Sequence, residues 1–536
     1  MDCPERAMIS PIILERDGAW RRLGLGVILL VVISPVAPLV WRGAATLFQT
    51  PNLGVGFEDA VVRSLLIAAW LTVVALALGV PCGLFAALYQ FPARTALLAG
   101  LALPLLLPSF LWAIGLSNLR IELGLPLESF LGGSSGSVFA FACMACPLVV
   151  FSTILSVRSL PANMLAAARL AGGEMTVIRY ASRTSLPGAV AGALLGAAIS
   201  MTDAGPGQIL GAGGAASQIL ISFSALYDFE TAALQSMAVA ALALAVATPG
   251  VWWVARHFDQ AATSRDTRLS APSRHAVGSW AAMLLCLVVL LLTLVAPLIG
   301  LATSAFAHNW MDRVVAVAAD TGFNSLYYAI IAAFVATTLG ISVALGVGRI
   351  KSLKSVVLGF LIAVFVLPSA LFGIGAVFAG TSAPAWLDPL FRGRFVVGLV
   401  SGLRLTPLAA VLMMRALAAT EPNWALAAGV HGVSLGSFVR RVLAPYHASS
   451  AMVAAGLVGL LALADVTTVM LLQPPGESSY AASLFTVMAN APESLVANLC
   501  LFYVAVAGAS SLLVTTWLAR PTRAERERRH GEGKGR

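Results

Sequence analysis

Long apolar runs separated by short polar interruptions fill this chain from end to end. About twelve runs stand out by hydropathy, near residues 23–41, 62–88, 96–117, 137–157, 188–204, 231–255, 280–302, 325–347, 356–379, 396–417, 448–472 and 495–518. Roughly 20 apolar residues in a helix cross the ~30 Å hydrocarbon core of a bilayer. Inside lipid the backbone must satisfy its own hydrogen bonds, which leaves helices or closed barrels. The runs lack the apolar–polar alternation of barrel strands. The pattern predicts an all-α polytopic membrane protein with about 12 transmembrane helices. The first run follows Arg16, Arg21 and Arg22 as a signal peptide would, but no clear small-residue cleavage site comes after it. It reads as a retained anchor.

The run pattern repeats. VRSLLIAAWLTVVALALGV at 62–80 parallels FNSLYYAIIAAFVATTLGI at 323–341: Ser64 and Leu65 match Ser325 and Leu326, and Leu78 and Gly79 match Leu339 and Gly340. LPSF at 107–110 matches LPSA at 367–370, Arg158 matches Arg415, Pro161 matches Pro422, and Asp203 matches Asp465. The offset of about 260 residues is an internal repeat. Each copy carries about six spans, and an even number keeps both copies in one orientation, giving two parallel six-helix repeats. The expected organisation is a first repeat over 1–255, a polar cytoplasmic linker over 256–279, a second repeat over 280–520 and a basic tail over 521–536.

Composition sharpens the class. Of the 536 residues, 59% are hydrophobic and 11% charged, with mean hydropathy +0.90; soluble domains carry roughly a quarter charged residues. The net charge of +9 acquires a meaning once it is placed along the chain. With a cytoplasmic N-terminus, most Lys and Arg fall on the cytoplasmic side, among them Arg169, Arg265, Arg268, Arg274, Arg349, Lys351 and Lys354. Acids such as Glu58, Asp59, Glu122, Glu128, Asp228 and Glu230 collect opposite. This is the positive-inside arrangement. Orientation accounts for the basic charge, so no nucleic-acid partner is expected. Cys143 and Cys146 form a CxxC inside a predicted span, with no second pair or histidine nearby, and read as small helix-packing residues.

Two interruptions differ from the rest. ALAAGVHGVSLGSFVRRVLAP (425–445) lies between the fourth and fifth spans of the second copy, and AAARLAGGEMTVIRYASRTSLPG (166–188) holds the same place in the first. In the second, Leu435, Phe438, Val439, Val442 and Leu443 fall on one helical face, with Arg440 and Arg441 off it. Gly429, Gly432 and Gly436 permit a bend, and Pro445 is expected to end the segment. In the first, Gly172 and Gly173 make the break, Arg179 and Arg183 form a basic i, i+4 stripe, and Pro187 is expected to end it. One such segment would pass as an interfacial helix with Arg facing headgroups. Two at equivalent positions point to a docking site used twice.

These segments resemble the EAA loop of bacterial ABC importer permeases, in which an acidic residue and two alanines precede a glycine and then leucine-proline. The second copy matches through Ala427, Ala428, Gly432 and Pro445. The first matches through Ala167, Ala168, Gly172, Leu186 and Pro187, with two extra residues between glycine and proline. Ala166 and Leu426 stand where the family has its acid. DVTTVMLLQPPG (465–476) is similar to the fused permeases of the ferric-iron and thiamine importer group, and the resemblance covers essentially the whole chain. It implies coupling loops near 162–187 and 423–445 that sit in grooves of a cytoplasmic ATPase. Their apolar faces would fill the grooves, while Arg179, Arg183, Arg440 and Arg441 would meet acidic rims or lipid phosphate. It also implies two ATPase copies inside, a solute-binding protein outside, and a multi-pass place in the bacterial inner membrane with both termini cytoplasmic. Ferric iron, thiamine, polyamines and phosphonates are the solute classes it admits.

No catalytic constellation stands out. GxxxxGK followed by Ser or Thr is absent, so ATP hydrolysis falls to a separate subunit. There is no HExxH or other zinc spacing, no GxSxG and no paired carboxylates, and no cofactor or metal is expected. Asp203 and Asp465, at the outer ends of the fifth and eleventh spans, are pathway or outer-gate residues if they face the interior. Otherwise they cap helices or face water. The competing class is a secondary transporter with two parallel six-helix halves, which would couple through intramembrane ionisable groups. A membrane-embedded enzyme is a third class, and no residue constellation supports it.

Overall fold

A computed structural model of the chain describes residues 22–31, 33, 37–39, 53–263, 272–347, 351–418, 420 and 422–518. Helices take up almost all of them; the only β-type pairing among them is one isolated bridge between Tyr89 and Ser273. Nine described helices are long and apolar enough to span a membrane, or up to eleven if each of two bent pairs is one span. The chain is a polytopic α-helical membrane protein. Of the first predicted run, 23–41, residues 23–31 lie in helix α1 (Arg22–Val31). Linker residues 264–271 and the basic tail 521–536 lie outside the described residues.

After α1 come α2 (Phe57–Leu88), α3 (Arg94–Leu106), α4 (Ser109–Glu122), α5 (Gly133–Arg158) and α6 (Ala162–Met201). Two short helices, α7 (Gly205–Ile209) and α8 (Ala215–Ala225), precede α9 (Phe229–Thr263). The order then recurs: α10 (Ala276–Phe306), α11 (Met311–Val347), α12 (Lys351–Val366), α13 (Ser369–Ser382) and α14 (Arg394–Ala418). It closes with α15 (Pro422–Val430), α16 (Gly436–Leu463), α17 (Val466–Leu472), α18 (Tyr480–Val487) and α19 (Glu493–Leu518).

The residues that matched along the sequence do matching work. Pro108 and Pro368, in LPSF and LPSA, cap α4 and α13 with extended backbone (φ −60°, ψ 140° and φ −55°, ψ 136°). Proline disfavours a helical residue before it and brings no N–H of its own. The chain therefore bends there, by 102° between α3 and α4 and by 85° between α12 and α13. The runs 96–117 and 356–379 are each two helices rather than one straight span. A Cβ on Gly79 would lie 2.7 Å from Val149 Cβ, and one on Gly340 2.7 Å from the Ala410 nitrogen. These glycines let α2 close on α5 and α11 on α14, the small-residue packing that holds helices together where lipid removes the hydrophobic drive. Ser64 Oγ accepts the Ala215 N–H at 2.9 Å, and Ser325 Oγ accepts the Tyr480 N–H at 2.8 Å. The same serine of each copy fastens the start of a short helix, α8 or α18.

The first span of each copy packs on the other copy. Ile28 of α1 is buried among Val343, Val347, Leu361 and Met413, and a Cβ on Gly24 would meet Gly346 Cα at 2.7 Å. In return α10 lies on the first copy: a Cβ on Gly278 would meet the Tyr89 ring at 2.6 Å, and Cys286 Sγ stands 3.6 Å from Cys82 Sγ. Two further expectations change. The fifth run, 188–204, is the upper part of α6, which runs unbroken by Pro187 from the loop to Met201. The run 448–472 is interrupted at Ala464 and Asp465, between α16 and α17.

Candidate functional site

The two loops are elbows at the same end of the helical body. The first is the lower part of α6. It starts after Pro161, breaks at Gly172 (φ −166°, ψ 25°) and Gly173 (φ 69°, ψ −162°), and resumes. The Gly173 conformation is one that essentially only glycine adopts. Leu165, Val177 and Ala181 are buried and tie the elbow to the body, while Met164, Leu170 and Met175 are exposed, Leu170 at 90%. Ala167, Gly172, Arg179, Arg183 and Pro187 are exposed and Ala168 is half-buried.

The second elbow is α15, a turn at Gly432 (φ +63°) and the start of α16. By backbone its partner is Gly173 rather than Gly172, since only Gly173 and Gly432 among the elbow glycines have positive φ. The apolar face expected to fill a partner's groove turns inward instead: Phe438 and Leu443 are buried against Leu345 and Ala428. A greasy face next to the body lowers its free energy most by packing on the body's own apolar surface. Val430 (84% exposed), Val433, Ala427 and Gly432 form the exposed tip, with Arg440 and Arg441 exposed behind it. Pro445 does not end the segment. It lies in the first turn after a five-residue π turn (Val439–Leu443) and the helix carries on, as proline at an early helical position allows. Trp424 meets Tyr446 edge-on at 4.8 Å, and Thr420 bonds His447 at 2.8 Å.

Glu174 was not foreseen. It stands eight positions beyond Ala166, where the missing acid was sought. Arg169 donates to both its carboxylate oxygens, and Tyr89 donates to Oε2 at 2.8 Å. Arg169 also reaches Ser273 Oγ at 3.3 Å. Ser273 pairs with the end of α2 through its own N–H to Leu88 O (2.8 Å) and its carbonyl to Gln90 N–H (3.0 Å). His275 Nδ1 then caps α10 at Gly278 N–H (3.1 Å). The end of the linker, α2, α10 and the first elbow meet in one polar cluster.

The acids Asp203 and Asp465 lie at the opposite end, where α6 and α16 stop. Asp203 accepts the Gly205 N–H at 2.9 Å, an Asx turn. Asp465 caps α17 through the Thr468 N–H at 3.2 Å. Asp203 therefore closes a turn and Asp465 serves as a cap, but Asp465 does more. It is buried and takes an ion pair from Arg404 of α14 at 3.1 Å, with Ser401 at 3.4 Å. Arg404 escaped notice because it is a single charge in an apolar run, whose partner lies 61 positions away. Toward the elbow end a cavity of about 310 Å³ is bounded by Ser159, just after α5, Thr184 of α6, His257 of α9 and Arg415 of α14. No group of three or more His, Cys, Asp or Glu among the described residues is placed to hold a metal.

No protein-family model matches the chain, and no solved structure matches it. A curated relative does: a probable molybdenum ABC transporter permease protein of Haloferax volcanii, 29% identical over 194 residues, which are 34% of this chain and 70% of that protein. The likeness supports an ABC transporter permease. That relative is roughly half as long as this permease-like chain, about the size of one copy of the repeat.

Proposed function

We propose that the chain is the fused transmembrane subunit of an ABC importer, one polypeptide standing for a pair of permeases. The observation that carries this reading is the pair of elbows, equivalently placed at one end of the body and each ending in exposed apolar side chains, Leu170 and Val430. Exposed apolar residues on a projection beside the membrane mark a protein partner. Each elbow would dock on one copy of a cytoplasmic ATPase, and closure of the ATPase pair would swing the elbows and the helices rigidly joined to them. ATP hydrolysis belongs to that partner. On this reading the elbow end and both termini face the cytoplasm of a bacterial inner membrane, and a binding protein delivers a small solute to the other face.

Asp203, Asp465 and Arg404 form the outer gate on this reading. An intramembrane charge is tolerated where it is paired, and separating the two copies would expose the pair to the pathway. Ferric iron, thiamine, a polyamine and a phosphonate are the solutes to be tried, with molybdenum added from the relative's name. The same buried ion pair is what favours the competing reading of a secondary transporter. The difference is that both carboxylates here are occupied by backbone N–H groups, Asp203 in a turn and Asp465 as a cap.

The test is a pull-down of the tagged chain from mild detergent, followed by mass spectrometry. The expected result is a P-loop ATPase at about two copies per chain, and a tip variant, Leu170→Glu with Val430→Glu, that inserts normally and loses it. A chain repeatedly recovered without ATPase, with uptake driven by an ion gradient and indifferent to ATP, would establish the secondary transporter instead.

A further inference from the structure

A second groove lies away from the elbows and the gate. It has a volume of about 360 Å³ and opens outward between α9 of the first copy and α12 of the second. Leu244, Val251 and Trp252 line one side; Val356, Gly359 and Ala363 line the other. Gly359 keeps it open: a Cβ there would only just touch Ala255 Cβ (3.7 Å) and Val251 Cγ1 (3.8 Å). Trp252 and Val356 are more than half exposed. One polar hydroxyl is already spent, since Thr248 Oγ1 donates to Leu244 O at 2.6 Å.

At the elbow end the groove meets Arg256 and Ser355. The Arg256 guanidinium sits 3.9 Å over the Trp252 ring. Stacking on a ring uses the face of a guanidinium and leaves its N–H edge for an anion. Tryptophan at this depth fits the membrane–water boundary. From Leu244 to Arg256 is twelve helical positions, about 18 Å at 1.5 Å each, close to half of a ~30 Å hydrocarbon core. The groove is therefore one leaflet deep, apolar along its length and cationic at its mouth.

We propose that this groove is a binding site for one acidic phospholipid of the elbow-side leaflet. An acyl chain lies between α9 and α12, and the phosphate accepts hydrogen bonds from Arg256 and Ser355. No acidic side chain lines the groove, so nothing there receives the ammonium of a zwitterionic headgroup. Because one wall comes from each copy, the bound chain acts as a filler between the halves.

The proposal rests on the membrane character of the chain and not on the ATPase, so the test uses the full chain alone. It is reconstituted with equal amounts of phosphatidylglycerol and phosphatidylcholine, re-extracted in mild detergent and weighed by native mass spectrometry. Wild type is expected to keep about one phosphatidylglycerol per chain in preference to phosphatidylcholine. Arg256→Gln, an exposed position, lowers that preference about fivefold, as loss of one basic residue near an anionic surface does. Gly359→Phe fills the groove and releases lipid of either kind. Equal retention of the two lipids by wild type, an unchanged preference in Arg256→Gln, or a small membrane protein recovered in place of lipid would each overturn it.

Discussion

At the first elbow a polar cluster adds to the buried Leu165, Val177 and Ala181: Glu174 gathers Arg169 and Tyr89, and Arg169 reaches Ser273 at the end of the linker. At the second an apolar cluster does it: Phe438 and Leu443 pack on Leu345 and Ala428. The two elbows share one sequence pattern, yet the described end of the linker meets the first, because Ser273 pairs with the end of α2. That contact makes the two elbows differ. Hydrogen bonds are directional and add roughly 1 kcal/mol each, whereas a buried aromatic adds several. The second elbow is held by the bulk of Phe438 and Leu443, and the first by smaller apolar side chains together with a small number of exact polar partners.

Phe438→Ala should have the largest effect, about 3–5 kcal/mol for an emptied aromatic site. Amide exchange across 422–443 should quicken while that across 162–181 stays as it was. If both elbows loosened together, they would share one anchor and the contrast drawn between them would collapse. Next come the two left-handed glycines. Gly173→Ala forces an alanine into a region nearly reserved for glycine, at a cost of about 1–3 kcal/mol, and Gly432→Ala forces one into the ordinary left-handed helical region for about 1–2 kcal/mol. The thermal midpoint should fall further for Gly173→Ala; equal falls would make the two turns equivalent after all. The smallest effect belongs to Glu174→Gln. Arg169 and Glu174 are partly exposed, which limits their pair to about 1 kcal/mol or less. Exchange at Gln90 and Ser273 should rise and the rise should shrink in high salt, with no change at Gly432. A response at Gly432 would show that the linker cluster reaches both elbows.

Much of the fold was legible because its causes are local. A bilayer demands about 20 apolar residues per crossing, and glycine acts where it stands, so the runs and the breaks at Gly173 and Gly432 could be read from short stretches, while the bends at Pro108 and Pro368 lay hidden inside what read as single spans. The prolines misled at 187 and 445, where early or tolerated helical positions let the helix continue. The candidate sites were less legible. The apolar stripe of 435–443 was visible, but a stripe does not say whether the body or a partner covers it. Glu174 and Arg404 each looked like a single charge, because a charge declares its role only through its partner.

Sequence alone therefore determined that this chain is a helical membrane protein whose segments recur, since apolar length and repeated residues are properties of the chain itself. Tertiary structure alone decided that α1 and α10 exchange places between the copies, that the second elbow turns its greasy face inward, and that Arg404 pairs with Asp465. The contacts responsible join residues 61 positions apart for Arg404 and Asp465, 85 for Tyr89 and Glu174, and 104 for Arg169 and Ser273. At such separations no local pattern ties one side chain to the other, and only the packing of the helices brings them within a hydrogen bond's length.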